Sequence, residues 1–123
     1  DEMPIIAGVY LNRLHKKVKL EADPTILYAM GYSKNRLLYR DLRRDSPYNT
    51  YLYPGLPPTP ICNPGFDAIY STMNPQSHNY LFFVADTNFR HQFSATGKEH
   101  ERKRLKIKAK RKELDRNKEE EEL

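Results

Sequence analysis

The residues best suited to chemistry lie in Ser46-Pro47-Tyr48-Asn49-Thr50-Tyr51, followed by Gly55-Leu56-Pro57-Pro58-Thr59-Pro60-Ile61 and Asn63-Pro64-Gly65. The stretch is too polar and too rich in proline to be a core, yet it sets Tyr48, Tyr51 and Tyr53 around an Asn-Thr pair. Proline fixes φ and removes a donor, so an ordered, non-helical loop is expected, one that keeps its shape without a ladder. On such a loop Asn49 and Thr50 can hydrogen-bond acetamido and hydroxyl groups. Tyr48 and Tyr51 can offer a ring face to a pyranose and a hydroxyl to its edge. Gly55 lets backbone approach closely, and Leu56, Pro57 and Pro58 make a stiff apolar wall. These are the features of a sugar-binding cleft; a surface Ω-loop without a ligand has the same composition.

Other chemistries find less support. His15, His78, His91 and His100 have no metal-ligand spacing, so neither zinc nor another cofactor is expected. His91 is a secondary candidate for binding, and His100 reads as structural. No phosphate loop and no Gly-x-Ser-x-Gly elbow occurs, which removes the sequence basis for nucleotide binding and serine esterase chemistry. Cys62, the single cysteine, cannot form an internal disulfide and reads as a small apolar residue beneath the proline loop.

A formal net charge of +5 and a pI near 9.3 raise the possibility of nucleic acid. Much of that charge sits in Lys98 to Leu123, basic first (Lys103, Arg104, Lys106, Lys108, Lys110, Arg111, Lys112) and acidic last (Glu119 to Glu122). The run lacks the aromatic interleaving of a single-strand binder, and Leu105, Ile107 and Leu114 form no continuous apolar stripe. A solvated, partly frayed helix is the expectation, with attraction to anionic lipid or glycan as the alternative, and nucleic acid is not expected as a partner. No apolar run is long enough to span a membrane. At 123 residues the chain is one domain or part of one. Its core is small, so association with a second copy or with a further part of the same protein is a natural complement.

The elements that must position the loop follow from periodicity and punctuation. A first helix is expected over Pro4–Lys17, with Ile5, Ile6, Val9, Tyr10 and Leu14 on one arc. Arg13 falls inside that arc and must find a carboxylate or carbonyls, with Asp23 and Asp41 among the candidates. Asp23-Pro24-Thr25 reads as a helix start with Asp23 as cap, and Gly31 ends that helix in the left-handed conformation. A cap at a cleft edge could also touch a ligand. Leu37–Leu42 reads as a short helical turn and Gly65–Asn74 as a helix, with Phe66, Ile69, Tyr70 and Met73 at helical spacing. Tyr80–Ala85 and His91–Phe93 read as strands joined by an Asp86–Arg90 loop, and a last helix begins near Lys98. The fold class is therefore α+β, a small antiparallel sheet with surrounding helices and a long charged C-terminal helix.

Tyr48-Asn49-Thr50-Tyr51 and Gly55-Leu56-Pro57-Pro58, with Pro60-Ile61 and Asn63-Pro64 behind them, resemble the signature of the YceG-like endolytic murein transglycosylase family. Ile6-Ala7-Gly8-Val9-Tyr10-Leu11-Asn12-Arg13-Leu14, Ala22-Asp23-Pro24-Thr25, Tyr80 to Ala85, His91-Gln92-Phe93-Ser94 and Glu99-His100 follow the family's order. The resemblance covers roughly residues 1 to 105 and divides the chain into a catalytic-domain portion, 1–97, and a charged tail, 98–123. It implies an enzyme that cuts peptidoglycan glycan strands between MurNAc and GlcNAc without water, leaving 1,6-anhydroMurNAc ends. One glutamate would serve as acid and then as base toward the sugar's own 6-hydroxyl, whose effective molarity replaces an activated water.

The family's glutamate is expected in an Ala-Ser-Ile-Val-Glu-like segment ahead of Asp1, so this chain alone is expected to be inactive. The implied substrate-binding residues are Asp23, Thr25, Tyr48, Asn49, Thr50, Tyr51, Gly55, Leu56, Pro57, Pro58 and His91, with Asn12 and Arg13 supporting the cleft. The implied location is the extracytoplasmic side of the inner membrane, beside peptidoglycan synthases. The competing readings are a non-catalytic glycan- or protein-binding module and, on charge alone, a basic nucleic-acid-binding domain.

Overall fold

The computed structural model describes residues 1–122. Helix α1 (Met3–His15) starts two residues after the N-terminus with Pro4 in its first turn, where a missing N–H costs nothing. Glu2 precedes it but does not cap it with its side chain. Its carboxylate instead accepts from the backbone N–H of His91 at 3.0 Å and from His91 Nδ1 at 3.1 Å, tying the chain start to the sheet. Helix α2 (Asp23–Ala29) ends at Met30, and Gly31 takes φ +64° so that Tyr32 N–H can reach back to Leu27 O at 2.8 Å. The cap differs from expectation: Ala22 holds the N-cap position, and Asp23 is the first helical residue with its carboxylate turned elsewhere.

A single 3₁₀ turn (Asp41–Arg43) precedes the proline loop, which carries turns but no regular element up to helix α3 (Phe66–Met73). The apolar stripe of α3 does not face the core. Phe66 and Met73 are 78% and 77% exposed, and the buried member of the helix is Ser71, on the side turned toward α1. Strands β1 (Phe82–Ala85) and β2 (His91–Ser94) pair antiparallel with Phe83 opposite Phe93 and Ala85 opposite His91. Tyr80 and Leu81 lie before β1 because their partners are α1 side chains and the end of β2 rather than a full ladder.

Helix α4 (Gly97–Glu122) lies against both strands. Ile107 is 3% exposed, so the first half of α4 is packed rather than solvated as the charge pattern suggested. Lys103 Nζ donates to Phe93 O at 2.6 Å and Arg111 Nη2 to Ala85 O at 3.1 Å, fastening the helix along the hairpin. The fully apolar core is small: Val9, Leu20, Ile26 and Ile107. Buried polar groups share its work, so directional bonds carry much of the specificity. Gly8 shows why: a Cβ there would lie 2.5 Å from His78 Nε2 and 2.6 Å from Gln76 O, and only glycine lets α1 come this close.

Candidate functional site

A cleft of about 500 Å³ opens between α1, the Leu20–Pro24 segment, Tyr51 and the Leu81–Phe83 strand, with His100 of α4 at one side. Arg13 builds its floor. The side chain is 6% exposed and stands over the Phe82 ring, 4.8 Å from its centroid. Its Nε donates to Leu81 O and its Nη1 to Lys19 O at 2.6 Å, while Glu21 lies 3.8 Å away. The partners are therefore carbonyls, with neither Asp23 nor Asp41 involved. Carbonyls satisfy the guanidinium without a second buried ion, and they fix the chain on both sides of the cleft. Asp41 serves its own loop, accepting from Leu38 N–H at 2.8 Å and pairing with Lys34 at 3.1 Å.

The polar edge of the cleft is Tyr51 and Asp23. The Tyr51 hydroxyl donates to Asp23 Oδ1 at 2.6 Å. Burial, and then that carboxylate, hold the phenol far above its usual range, so Tyr51 stays a neutral donor. Burial also raises Tyr10. His100 stacks on Phe82 with ring centroids 5.0 Å apart, and burial lowers its pKa, which favours neutral imidazole near neutral pH. Aromatic faces, a fixed hydroxyl and a carboxylate in one groove are suited to an uncharged, hydroxyl-rich ligand. Among the described residues no group of three or more His, Cys, Asp or Glu side chains converges as a metal site requires.

Beneath this edge the residues expected to bind ligand act as framework. Thr25 Oγ1 and Thr50 Oγ1 are 2.9 Å apart, and Ala22 N–H donates to Thr50 Oγ1 at 2.9 Å. Both threonines are buried, so they join the two loops and do not line the cleft. Asn49 is 1% exposed. Its amide donates to Leu42 O at 3.0 Å and Arg44 O at 2.7 Å, and its Oδ1 accepts from Tyr51 N–H at 2.9 Å. It shapes the loop from within.

The remaining expected residues lie outside the cleft wall. Tyr48 bonds Thr59 at 2.9 Å and packs on Tyr28. Gly55 takes φ +87° in open space, Leu56 is 73% exposed, and Pro57 and Pro58 continue that outer side. His91 is held by Glu2. Asn12 donates to His78 O at 2.8 Å and Tyr80 O at 3.0 Å, aligning the entry to β1. Cys62 is exposed and not tucked under the prolines. Sequence reasoning missed Tyr10, Glu21, Phe82, Phe83 and His100 as lining residues. Tyr10 shares the helical arc of Arg13, and Tyr10, Phe82, Phe83 and His100 all stand in stretches that resemble the family, which are the signals that could have found them.

The YceG-like family model matches residues 1–106. The chain belongs to the YceG-like family. It is 50% identical over 95 residues to a Bacillus subtilis protein named endolytic murein transglycosylase, a match covering 77% of this chain and 26% of that protein. The Streptococcus pneumoniae protein of the same name is 38% identical over 104 residues, covering 80% of this chain and 19% of the relative. A crystal structure of a YceG-like protein from Listeria monocytogenes superposes with a TM-score of 0.75 at 46% identity, over 79% of this chain and 32% of that one. The chain thus spans about a quarter of the Bacillus relative's length. Every residue lining the cleft falls inside the family match, whereas α4 runs 16 residues beyond it, from 107 to 122.

Proposed function

We propose that this chain forms the substrate-holding part of an endolytic murein transglycosylase and that a glycan strand lies in the cleft between Tyr10, Asp23, Tyr51 and Phe83. The observation that carries it is the Tyr51–Asp23 pair, a neutral hydroxyl fixed on a carboxylate at the rim of an aromatic groove, in a chain of this family. Tyr51 offers lone pairs to a sugar hydroxyl or acetamido N–H while Asp23 holds its proton, and the rings of Tyr10 and Phe83 give the pyranose C–H faces an apolar wall. The reaction is cleavage of the MurNAc–GlcNAc bond with ring closure by the 6-hydroxyl, which asks for one acid/base and a dry, oriented sugar. The family resemblance puts that acid in a segment ahead of Asp1, so the activity belongs to the longer protein, on the extracytoplasmic face where the wall is.

The test uses the longer protein carrying that segment, incubated with purified sacculi, with products read by mass spectrometry. Release of 1,6-anhydro-muropeptides is expected, and Tyr51→Phe should lower turnover about 10-fold or more while the melting temperature stays near wild type, since the lost bond is at an exposed rim. Hydrolytic ends, or full turnover in Tyr51→Phe, would overturn the reading.

A further inference from the structure

The outward face of α4 is a ridge of cations that nothing in the fold uses. At about 100° per residue, Lys98, Arg102, Lys106, Lys108, Lys112 and Arg116 fall on one face roughly 160° wide, opposite buried Ile107. All six are exposed, and among the described residues none makes an ion pair or a side-chain hydrogen bond. The inner cations are committed: Lys103 to Glu99 and Phe93 O, Lys110 to Asp86, Arg111 to Ala85 O. Those same bonds fix the helix's rotation, so the ridge is presented outward over a length of about 27 Å. Glu101 and Glu113 fall on the same face, each about 60° from its centre, Glu101 engaged by Arg104 at 2.6 Å, so the face keeps an excess of four cations, and the Glu119–Glu122 run lies past its C-terminal end.

We infer that this ridge docks the protein on an anionic lipid surface, α4 lying flat on the headgroups. Two features favour a bilayer over other polyanions. Leu105, 51% exposed, sits in the middle of the ridge beside exposed Ala109, and a bilayer offers an apolar phase just beneath its charges, which a linear polyanion in water does not. The lysine and arginine stems around it can snorkel, burying methylenes while the charges stay at the phosphates. The absence of aromatic side chains from the ridge argues against stacking on nucleic-acid bases. A second copy is also disfavoured, because the seam would set cation against cation. This docking is adsorption, for no described helix is long and apolar enough to cross a membrane. It is independent of the cleft assignment.

Vesicle co-sedimentation of the full chain tests it. Binding is expected to phosphatidylcholine vesicles containing about one third phosphatidylglycerol at about 0.1 M salt, none to pure phosphatidylcholine, and loss of binding at about 1 M salt. The triple variant Arg102→Gln, Lys106→Gln, Lys112→Gln should bind on the order of a hundredfold more weakly. An equally neutralised variant at exposed sites elsewhere, Lys16→Gln, Arg36→Gln, Arg43→Gln, should bind as wild type, with circular dichroism confirming the helix in both. Leu105→Gln should weaken vesicle binding and leave binding to inorganic polyphosphate unchanged. Equal losses in both triple variants, no binding to the anionic vesicles, or a Leu105→Gln variant indistinguishable from wild type on vesicles would overturn the proposal.

Discussion

Asn49 and Tyr51 sit two positions apart on the same loop, and their polar groups are placed differently. Their residue types suggested one role for both, because an amide and a phenol are equally capable of meeting a sugar. The structure separates them by geometry: the Asn49 amide is consumed by Leu42 O, Arg44 O and Tyr51 N–H, while the Tyr51 hydroxyl reaches the cleft rim. Composition reveals a side chain's hydrogen-bonding capacity but not whether the backbone has already claimed it. The 3₁₀ turn Asp41–Arg43 leaves carbonyls at its end without ladder partners, and Asn49, a few residues on, supplies the side-chain donors for Leu42 O and Arg44 O. Asn49→Ala should therefore cost about 1–3 kcal/mol for the carbonyls left unpaired, read as a lower urea midpoint. Activity in the longer protein should fall only in step with that loss. A variant of unchanged stability and abolished turnover would return Asn49 to the ligand side.

At the scale of elements, periodicity located the helices and strands to within a few residues, and it failed where packing depends on partners far away in sequence. The stripe of α3 was visible but its outward orientation was not, because spacing shows that a face exists and not what it meets. The hairpin loop was readable from its turn formers; its lock was not. Asp86 accepts from Thr87 N–H and from Gln92 Nε2, and lies 3.6 Å from Lys110. The Gln92 bond first, then the Thr87 amide and the Lys110 charge, hold its carboxyl at about 2, below the usual 3.8. A depressed carboxylate contributes stability that is complete above its unfolded value and disappears as pH falls through the folded one. In melting curves the gap between wild type and Asp86→Asn should hence be constant above about pH 4 and close between about pH 4 and 2. A gap that persists unchanged at pH 2 would show that the carboxylate's charge is irrelevant to the hairpin.

The whole molecule is held less by its core than by side chains that cross it. Arg13 links α1 to the segment before α2 and to the start of β1, Glu2 links the N-terminus to β2, and α4 braces the hairpin from outside. The architecture was legible as a class because helix and strand signals are local. The brace was not, because a helix of such charge looks solvated throughout until Ile107 is seen against the sheet. The family match stops at residue 106, so the brace straddles its end: Lys103 and His100 hold the hairpin from inside the match, and Ile107, Lys110 and Arg111 from beyond it.

Two truncations distinguish a brace from a tail, because tolerance to shortening follows the burial and bonding of what is removed. Ending the chain after Arg116 keeps Ile107, Lys110 and Arg111 and should leave the melting temperature almost unchanged. Ending it after Lys106 removes all three, forfeiting roughly 2–3 kcal/mol for the isoleucine alone. The Asp86–Arg90 loop should then become sensitive to limited proteolysis while α1 and α2 stay protected. Identical melting and proteolysis of the two truncations would mean that the hairpin stands without α4, and the buried Ile107 would then have no part in holding it.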